Sequence, residues 1–477
     1  MVARHLRPVS HAPIDLPLAA GATVATALLA LLVSHRVGGF GILAPLAVVL
    51  VAIAVLRPLF TVAAVVGLTV LCEGPSFGIL TFSSHLYTQV YKDISALDLL
   101  VVLAVLAVAF DLIRSGRSLY VPLPLKLPLT LLVLAMMAGA ITGHAAGAST
   151  RFVLASENVL AYLLAMPLVV ANLDLERKQL RWLLGGAVAL AIAKAVLGLI
   201  EVASSHGQTI DGTTLTYYEP TANWIVMIAL LAIFAAVLAR AKPPLWMLLG
   251  SPLLFASLLL SYRRSFWIAA VLGVLLVLLL GTSPLGRRML VPVGLLVALA
   301  IWLLGSTSFQ SQSPIVQRVS SLQSSKVEAN VEDRYRIDER ANVLSEIDRH
   351  PISGLGMTIP WEATARPLPV EHEGGRLYVH FAALWFWLKL GVLGLLAYIS
   401  IIAASMVLAF RAWRAAYDPI SRAFGLASLC GVVALVVLDT TASFTGVDAR
   451  FTVLFGAQLG LLALIADGRL LPAEQSR

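Results

Sequence analysis

Apolar and polar positions along the chain fall into long unbroken apolar runs separated by short polar gaps. Fourteen runs stand out: 16–34, 39–56, 58–72, 98–113, 127–143, 152–172, 182–203, 224–240, 245–261, 266–282, 289–306, 380–409, 423–439 and 451–467. About 20 apolar residues in a helix cross the hydrocarbon core of a bilayer, and shorter runs do so where the bilayer thins. The runs are continuous rather than alternating, which argues against a transmembrane β-barrel. The pattern therefore predicts an all-α, polytopic integral membrane protein with about fourteen transmembrane helices. The first run follows Arg4 and Arg7 but is long for a signal-peptide core, and Ser34-His35-Arg36 is a poor cleavage site. It reads as an uncleaved first helix.

One segment breaks the rhythm. Residues 307–379, 73 in all, form a single long polar stretch among short loops. A loop of that size is out of scale for a connector and points to function. It opens Ser/Gln-rich as far as Ser325, then turns helical from Val331 to Arg349. Ile337, Ala341, Leu344 and Ile347 recur at helical spacing, which predicts an amphipathic helix with one apolar stripe, lying on the membrane or turning its arginines to a polyanion. Asn330 and Asp333 suit its start and Pro351 stops it, while Arg334, Arg336, Arg340 and Arg349 fall on or near the polar side. The chain so divides into a bundle of eleven helices (1–306), the loop (307–379), and three last helices with a tail (380–477).

Composition agrees. Hydrophobic residues make up 59% and charged residues 13%, against about 25% charged in a soluble domain. Soluble enzymes, DNA-binding domains and disordered chains are excluded. The net charge of +8 then reads as the positive-inside bias rather than as a nucleic-acid surface. One set of short loops carries eighteen Lys and Arg, among them Arg114, Arg117, Arg177, Lys178, Arg181, Lys242, Arg411 and Arg414; the opposite set carries six, Arg36, Lys92, Arg151, Arg263, Arg264 and Arg450. Both termini are expected in the cytoplasm and the long loop outside. Cys72 and Cys430 match no metal spacing and imply no disulfide framework. Lys194 and Lys389 fall inside spans, where a charge either pairs with an acid between helices, snorkels, or works.

Candidate chemistry gathers on the external side. Arg263 and Arg264 sit in a very short loop where cations are disfavoured, and an anionic head group or diphosphate would explain them, because a guanidinium grips phosphate in a bidentate fork. Glu371, His372, Glu373, Arg376, Tyr378 and His380 cluster before the next span. Glu371-His372-Glu373 has metal-binding residue types, but neighbours in sequence point to different faces, so no metal site is expected. Acids also fall at external span ends or between spans: Glu73, Asp98, Glu157, Glu201, Glu219 and Asp439.

Three stretches together resemble the O-antigen ligase and O-antigen polymerase family of bacterial inner membranes. Ser261 to Ala270 looks like the family's Ser-Arg element opening a span, with Arg264 in the arginine place and Arg263 beside it. Arg336 to Gly356 is similar to the family's arginine, amphipathic helix and Pro-x-x-Gly-x-Gly, here Pro351-Ile352-Ser353-Gly354-Leu355-Gly356. His380 opening a span, with Gly391 and Gly394 following, is similar to the family's His element. Two places depart from it: Phe381 stands where a polar residue is usual, and the loop 206–223 has no arginine. The resemblance implies a GT-C-like, metal-independent and cofactor-free glycosyltransferase. Its donor would be a glycan on polyprenyl diphosphate, its acceptor a sugar hydroxyl on lipid A-core or on another lipid-linked repeat, its surroundings membrane lipids and not nucleic acid. His380 would be the general base, Arg264, Arg263 and Arg336 would bind diphosphate, and Glu371, His372 and Arg376 would support the base. A lipid-linked glycan transporter and a non-catalytic assembly partner remain as alternatives; a transporter calls for charge deep in several spans, and only Lys194 and Lys389 lie deep.

The charge count fixes an orientation that labelling can check. In intact cells, a cysteine placed at Ser324 should react with an impermeant thiol reagent and one placed at Arg414 should not; the reverse pattern would overturn the orientation.

Overall fold

The computed structural model describes residues 51, 54–73, 86–87, 89–91, 94–205, 209–210, 213–217, 219–281, 288, 331–370, 375–416 and 418–471. The expected runs 16–34 and 289–306, most of 39–56, and the opening of the long loop lie outside them, as do Glu371, His372 and Glu373.

Every other expected span is a helix. In chain order the described α-helices are α1 (Pro58–Leu71), α2 (Ala96–Ser115), α3 (Leu123–Ala145), α4 (Thr150–Ala171), α5 (Arg177–Ser204), α6 (Pro220–Leu238), α7 (Leu245–Leu259), α8 (Arg264–Leu280), α9 (Val331–Arg349), α10 (Ala382–Ala415), α11 (Pro419–Leu438) and α12 (Ala449–Ala466). Eight are long and apolar enough to cross a membrane, whereas α1, α7 and α8 are apolar but shorter. Two small antiparallel hairpins, β1 (Gln89–Tyr91) with β2 (Ile94–Ser95) and β3 (Thr209–Ile210) with β4 (Thr213–Thr214), sit between helices.

Local chemistry sets the helix ends. Proline occupies the first position of α1, α6 and α11, where its missing N–H costs nothing. Ser95 and Asp98 form a reciprocal capping box on α2: the Ser95 Oγ accepts from the Asp98 amide and the Asp98 carboxylate accepts from the Ser95 amide. Asp418 and Asp448 cap α11 and α12 through their carboxylates.

α6 and α12 form the centre, with 67% and 78% of their apolar windows buried, against 28% for α5 and 33% each for α2 and α3. α10 lies along α3 and α11, α12 along α4, α11 along α8 and α6, and α5 along α7. Large apolar side chains such as Phe60, Ile113, Leu123 and Phe255 face outward. In water that would be a liability; in a bilayer it is the expected lipid-facing surface.

The two ends of the bundle differ in charge. Around the amino ends of α2, α6, α8, α10 and α12 and the carboxyl ends of α1, α5 and α11 lie Glu73, Asp98, Glu219, Arg264, His380, Asp439 and Arg450. The opposite end carries Arg114, Arg117, Lys178, Arg181, Lys242, Arg411, Arg414 and Arg469.

α10 is not one continuous helix. Gly391 adopts φ 67° and ψ −164°, which frees backbone groups on both sides of the break. The Pro351–Gly356 segment takes them: the Leu355 amide donates to the Leu388 carbonyl (2.7 Å) and the Val392 amide donates to the Ile352 carbonyl (3.0 Å). One step on, the Met357 amide donates to the Gly139 carbonyl of α3 (3.0 Å). Backbone approaches backbone so closely that a Cβ on Gly354, Gly356 or Gly391 would collide with main-chain atoms opposite, and all three have positive φ. The Pro-x-x-Gly-x-Gly pattern and Gly391 are thus two halves of one joint. Lys389 closes it by donating to the Ile359 carbonyl. The other lysine expected inside a span, Lys194, pairs with Glu73 at 2.5 Å.

The apolar stripe on α9 mostly faces away from the protein interior. Ile337 and Leu344 are exposed, Ala341 is half-buried, and of the four only Ile347 is buried. The buried face is instead Tyr335, Asp338, Glu339, Asn342, Val343, Glu346 and Ile347. The reason is what this face packs against. Irregular backbone covers it, and exposed amides need acceptors. Asn342 Oδ1 accepts from the amides of Ala365 (2.7 Å) and Arg366 (2.8 Å), its Nδ2 donates to the Arg366 carbonyl (2.8 Å), and Glu346 accepts from the Glu362 amide (3.3 Å). Buried polar groups are tolerated when so bonded.

The joint at Gly391 makes a stability prediction. Gly391→Ala should lower the unfolding free energy in detergent by at least about 1–2 kcal/mol from the positive φ alone, with more from the collision. Gly186→Ala, where a Cβ meets nothing within 4 Å, should be neutral. A Gly391→Ala protein as heat-stable as wild type would contradict the joint.

Candidate active site

The site is built where α9 lies over the start of α10. Glu339 is fully buried and faces His380. Its carboxylate accepts from the His380 backbone amide (2.9 Å) and stands 3.0 Å from His380 Nδ1. One carboxylate therefore fixes both the backbone and the ring of the histidine. Tyr335 and Tyr378 pack edge-on against the imidazole, with ring centroids 5.8 and 4.9 Å away. Burial, with the nearby Glu339 carboxylate adding to it, pushes the Tyr378 phenol up to about 12, so it stays neutral; its oxygen accepts from the Ser443 amide (3.1 Å).

The turn after α11 braces the histidine from behind. Ser443 Oγ donates to the Val379 carbonyl (2.5 Å), and the Ala382 amide donates to the Asp439 carbonyl (2.9 Å). The buried Asp439 carboxylate holds that turn together, accepting from the Tyr398 hydroxyl, the Thr445 hydroxyl and the Phe444 amide.

The arginines converge on the same helix. Arg264, at the first position of α8, donates from Nη2 to both oxygens of Asp333 (2.9 and 2.8 Å) and is 13% exposed. Arg336, one turn further along α9, donates to Glu332 (2.7 Å) and lies 3.9 Å from Asp333. Six residues separate Asp333 from Glu339, about 9 Å along the helix axis. α9 so carries, on one short stretch, the carboxylate that holds the histidine and the carboxylate that gathers the arginines. Arg263 is the N-cap residue of α8 and half-buried.

Of the expected supporters, Arg376 presents its carbonyl to the Trp361 amide (3.1 Å), so its backbone holds the loop in place. Glu371 and His372 lie outside the described residues. Among the described residues no group of three His, Cys, Asp or Glu is arranged to hold a metal. Phe381, the departure after the histidine, has the Arg340 guanidinium over its ring at 5.6 Å.

Glu339 and Asp333 were missed by sequence reasoning. The available signal was spacing: Glu339 stands three residues after Arg336, on the next helical turn. Ranking faces by apolarity hid it. Acids that the sequence places at span ends or between spans have structural partners: Glu73 holds Lys194, Asp98 caps α2 and accepts from the Tyr162 hydroxyl, and Glu219 pairs with the buried Arg450. Arg450 thereby brings a guanidinium to the start of α6, behind the arginine-free loop 206–223.

Residues 249–399 match the family model for O-antigen ligase. The matched stretch holds Arg263, Arg264, Arg336, Glu339, His380 and both halves of the Gly391 joint. No curated protein matches the chain.

Proposed function

We propose, for a chain whose residues 249–399 match the family model for O-antigen ligase, that it moves a glycan from a polyprenyl-diphosphate carrier to a sugar hydroxyl at the external face of the bacterial inner membrane. The observation that carries this reading is that one amphipathic helix, α9, holds His380 through its buried Glu339 and gathers Arg264 and Arg336 around its Asp333.

The chemistry follows from those groups. A carboxylate accepts, so His380 Nδ1 carries its proton toward Glu339 and Nε2 is the lone-pair nitrogen of the ring. That tautomer accepts the proton of the acceptor hydroxyl as the oxygen attacks the anomeric carbon. The buried carboxylate then stabilises the imidazolium that forms, as in other acid–histidine couples. The C–O bond to the diphosphate breaks, and negative charge grows on the departing phosphate oxygens. Arg264 and Arg336 meet it. A unit charge pair about 4 Å apart at an effective dielectric near 20 is worth about 4 kcal/mol. In the resting chain Asp333 neutralises Arg264; a diphosphate, with more charge and more acceptor oxygens, takes its place. Arg263 and Arg376 flank this surface, and Glu371 and His372 are retained as sequence-based supporters of His380. The step uses no metal.

Purified protein, a polyprenyl-diphosphate glycan and candidate acceptors, with products resolved by size, test this. His380→Ala should lower turnover by about 10²–10⁴-fold with donor binding kept. Glu339→Gln should lower it in the same direction but less, because the amide still accepts from the backbone N–H yet stabilises an imidazolium poorly. Arg264→Lys should rescue only part of the Arg264→Ala loss, since an ammonium lacks the fork. A His380→Ala protein transferring near the wild-type rate would remove the base from the mechanism.

A further inference from the structure

At the end of the bundle away from His380, a cavity of about 730 Å³ opens between α1, α5, α6, α11 and α12. Its walls are almost wholly apolar and reach from Ala236 up to Trp224 on α6 and as far as Val70 on α1. Twelve residues of α6 span about 18 Å, close to the roughly 15 Å depth of one leaflet's hydrocarbon. The mouth is different. Lys178, Arg181 and Lys242, from two separate segments, line it together with Trp182 and Trp246. All three cations are exposed, and Trp is the residue that settles at a membrane interface.

Inside the cavity two polar groups interrupt the apolar wall. Ser428, 1% exposed, and Gln458 both line it. Ser428 Oγ and Gln458 Nε2 are buried and make no hydrogen bond among the described residues. Buried donors in an apolar wall cost stability unless something accepts from them. The two lie nine and eight residues from the ends of their helices at the cationic mouth, about 12–14 Å in.

We propose that this cavity binds one anionic glycerophospholipid from the leaflet at that end. Its phosphate would sit against Lys178, Arg181 and Lys242. Its ester carbonyls, on the side of the head group facing the bilayer core, would accept from Ser428 and Gln458, and an acyl chain would fill the apolar shaft toward Trp224. The chemistry selects the ligand: a polyprenyl chain satisfies the shaft but offers the two donors no acceptor, and a zwitterionic lipid wastes the rim. The site stands apart from the glycan-transfer groups, and its occupancy does not depend on that reading.

Native mass spectrometry of the delipidated full-length protein tests it, with phosphatidylglycerol, phosphatidylcholine and undecaprenyl phosphate added in turn. Phosphatidylglycerol should bind at one site at least tenfold more tightly than phosphatidylcholine. Replacing Lys178, Arg181 and Lys242 together by Gln should bring it down to the phosphatidylcholine level. Ala232→Phe, which fills the shaft, should lose the adduct altogether, and Ala232→Leu serves where the larger side chain lowers yield. Equal binding of the two phospholipids, an adduct surviving the rim substitutions, or undecaprenyl phosphate displacing phosphatidylglycerol at equal concentration would each overturn the proposal. A glycan-transfer assay on the same samples separates this outcome from a failure of the catalytic reading.

Discussion

The His380 end of the molecule depends on a helix that is interrupted on purpose. A transmembrane helix cannot leave backbone groups unpaired in hydrocarbon, so the break at Gly391 must be filled by protein. The Pro351–Gly356 segment fills it with two main-chain hydrogen bonds and reaches on to α3 through a third. That docking is what brings α9, tethered just before Pro351, down over the start of α10. Without it Glu339 would have no fixed relation to His380, and Asp333 none to Arg264. A sparse set of backbone contacts far from the reacting groups therefore sets the geometry of the whole site.

The same logic explains why a helix in a membrane protein hides its polar face. α9 turns a polar face, not its apolar stripe, toward the rest of the protein. It lies on loops, and the loops present amides. Asn342 and Glu346 accept from loop amides and Glu339 accepts from the amide of His380, so the burial of carboxylates and the ordering of irregular backbone are one exchange. Glu339 is the member that doubles as a partner for a side chain. Its position was dictated by the need to hold the 378–380 segment, and the imidazole sits where that segment begins the next span.

Much of this was legible in advance, and the failures have a physical cause. The spans were legible because apolar continuity is a demand of the solvent and needs no tertiary information. The limits of α9 were legible because Pro351 and the run of helix-forming polar residues are local signals. His380 and Arg264 were singled out by the family resemblance, with position at span ends only a weak signal beside it. Glu339, Asp333 and the role of Gly391 were not legible, because each depends on which distant backbone lies opposite. The polar face that α9 buries was not legible for the same reason: periodicity tells which residues share a face, but not which face the protein covers.

The distribution of charge then takes on a functional sense. Near His380 the cations are held by carboxylates: Arg264 by Asp333, Arg336 by Glu332, Arg450 by Glu219, Lys194 by Glu73. At the far end Arg117 is held by Asp111 and Arg411 by Asp467, while Lys178, Arg181 and Lys242 are exposed at the surface. A bare arginine cluster in a partly dry site would hold any passing phosphate and bind product as firmly as substrate. On the proposed reading, a carboxylate partner supplies a competitor of moderate strength, so that a diphosphate would gain only the difference between the two pairings, and catalysis would draw on what grows in the transition state rather than on binding common to every state. A surface that retains a lipid has the opposite need. It gains from cations with no internal competitor, because nothing there has to leave after each turnover.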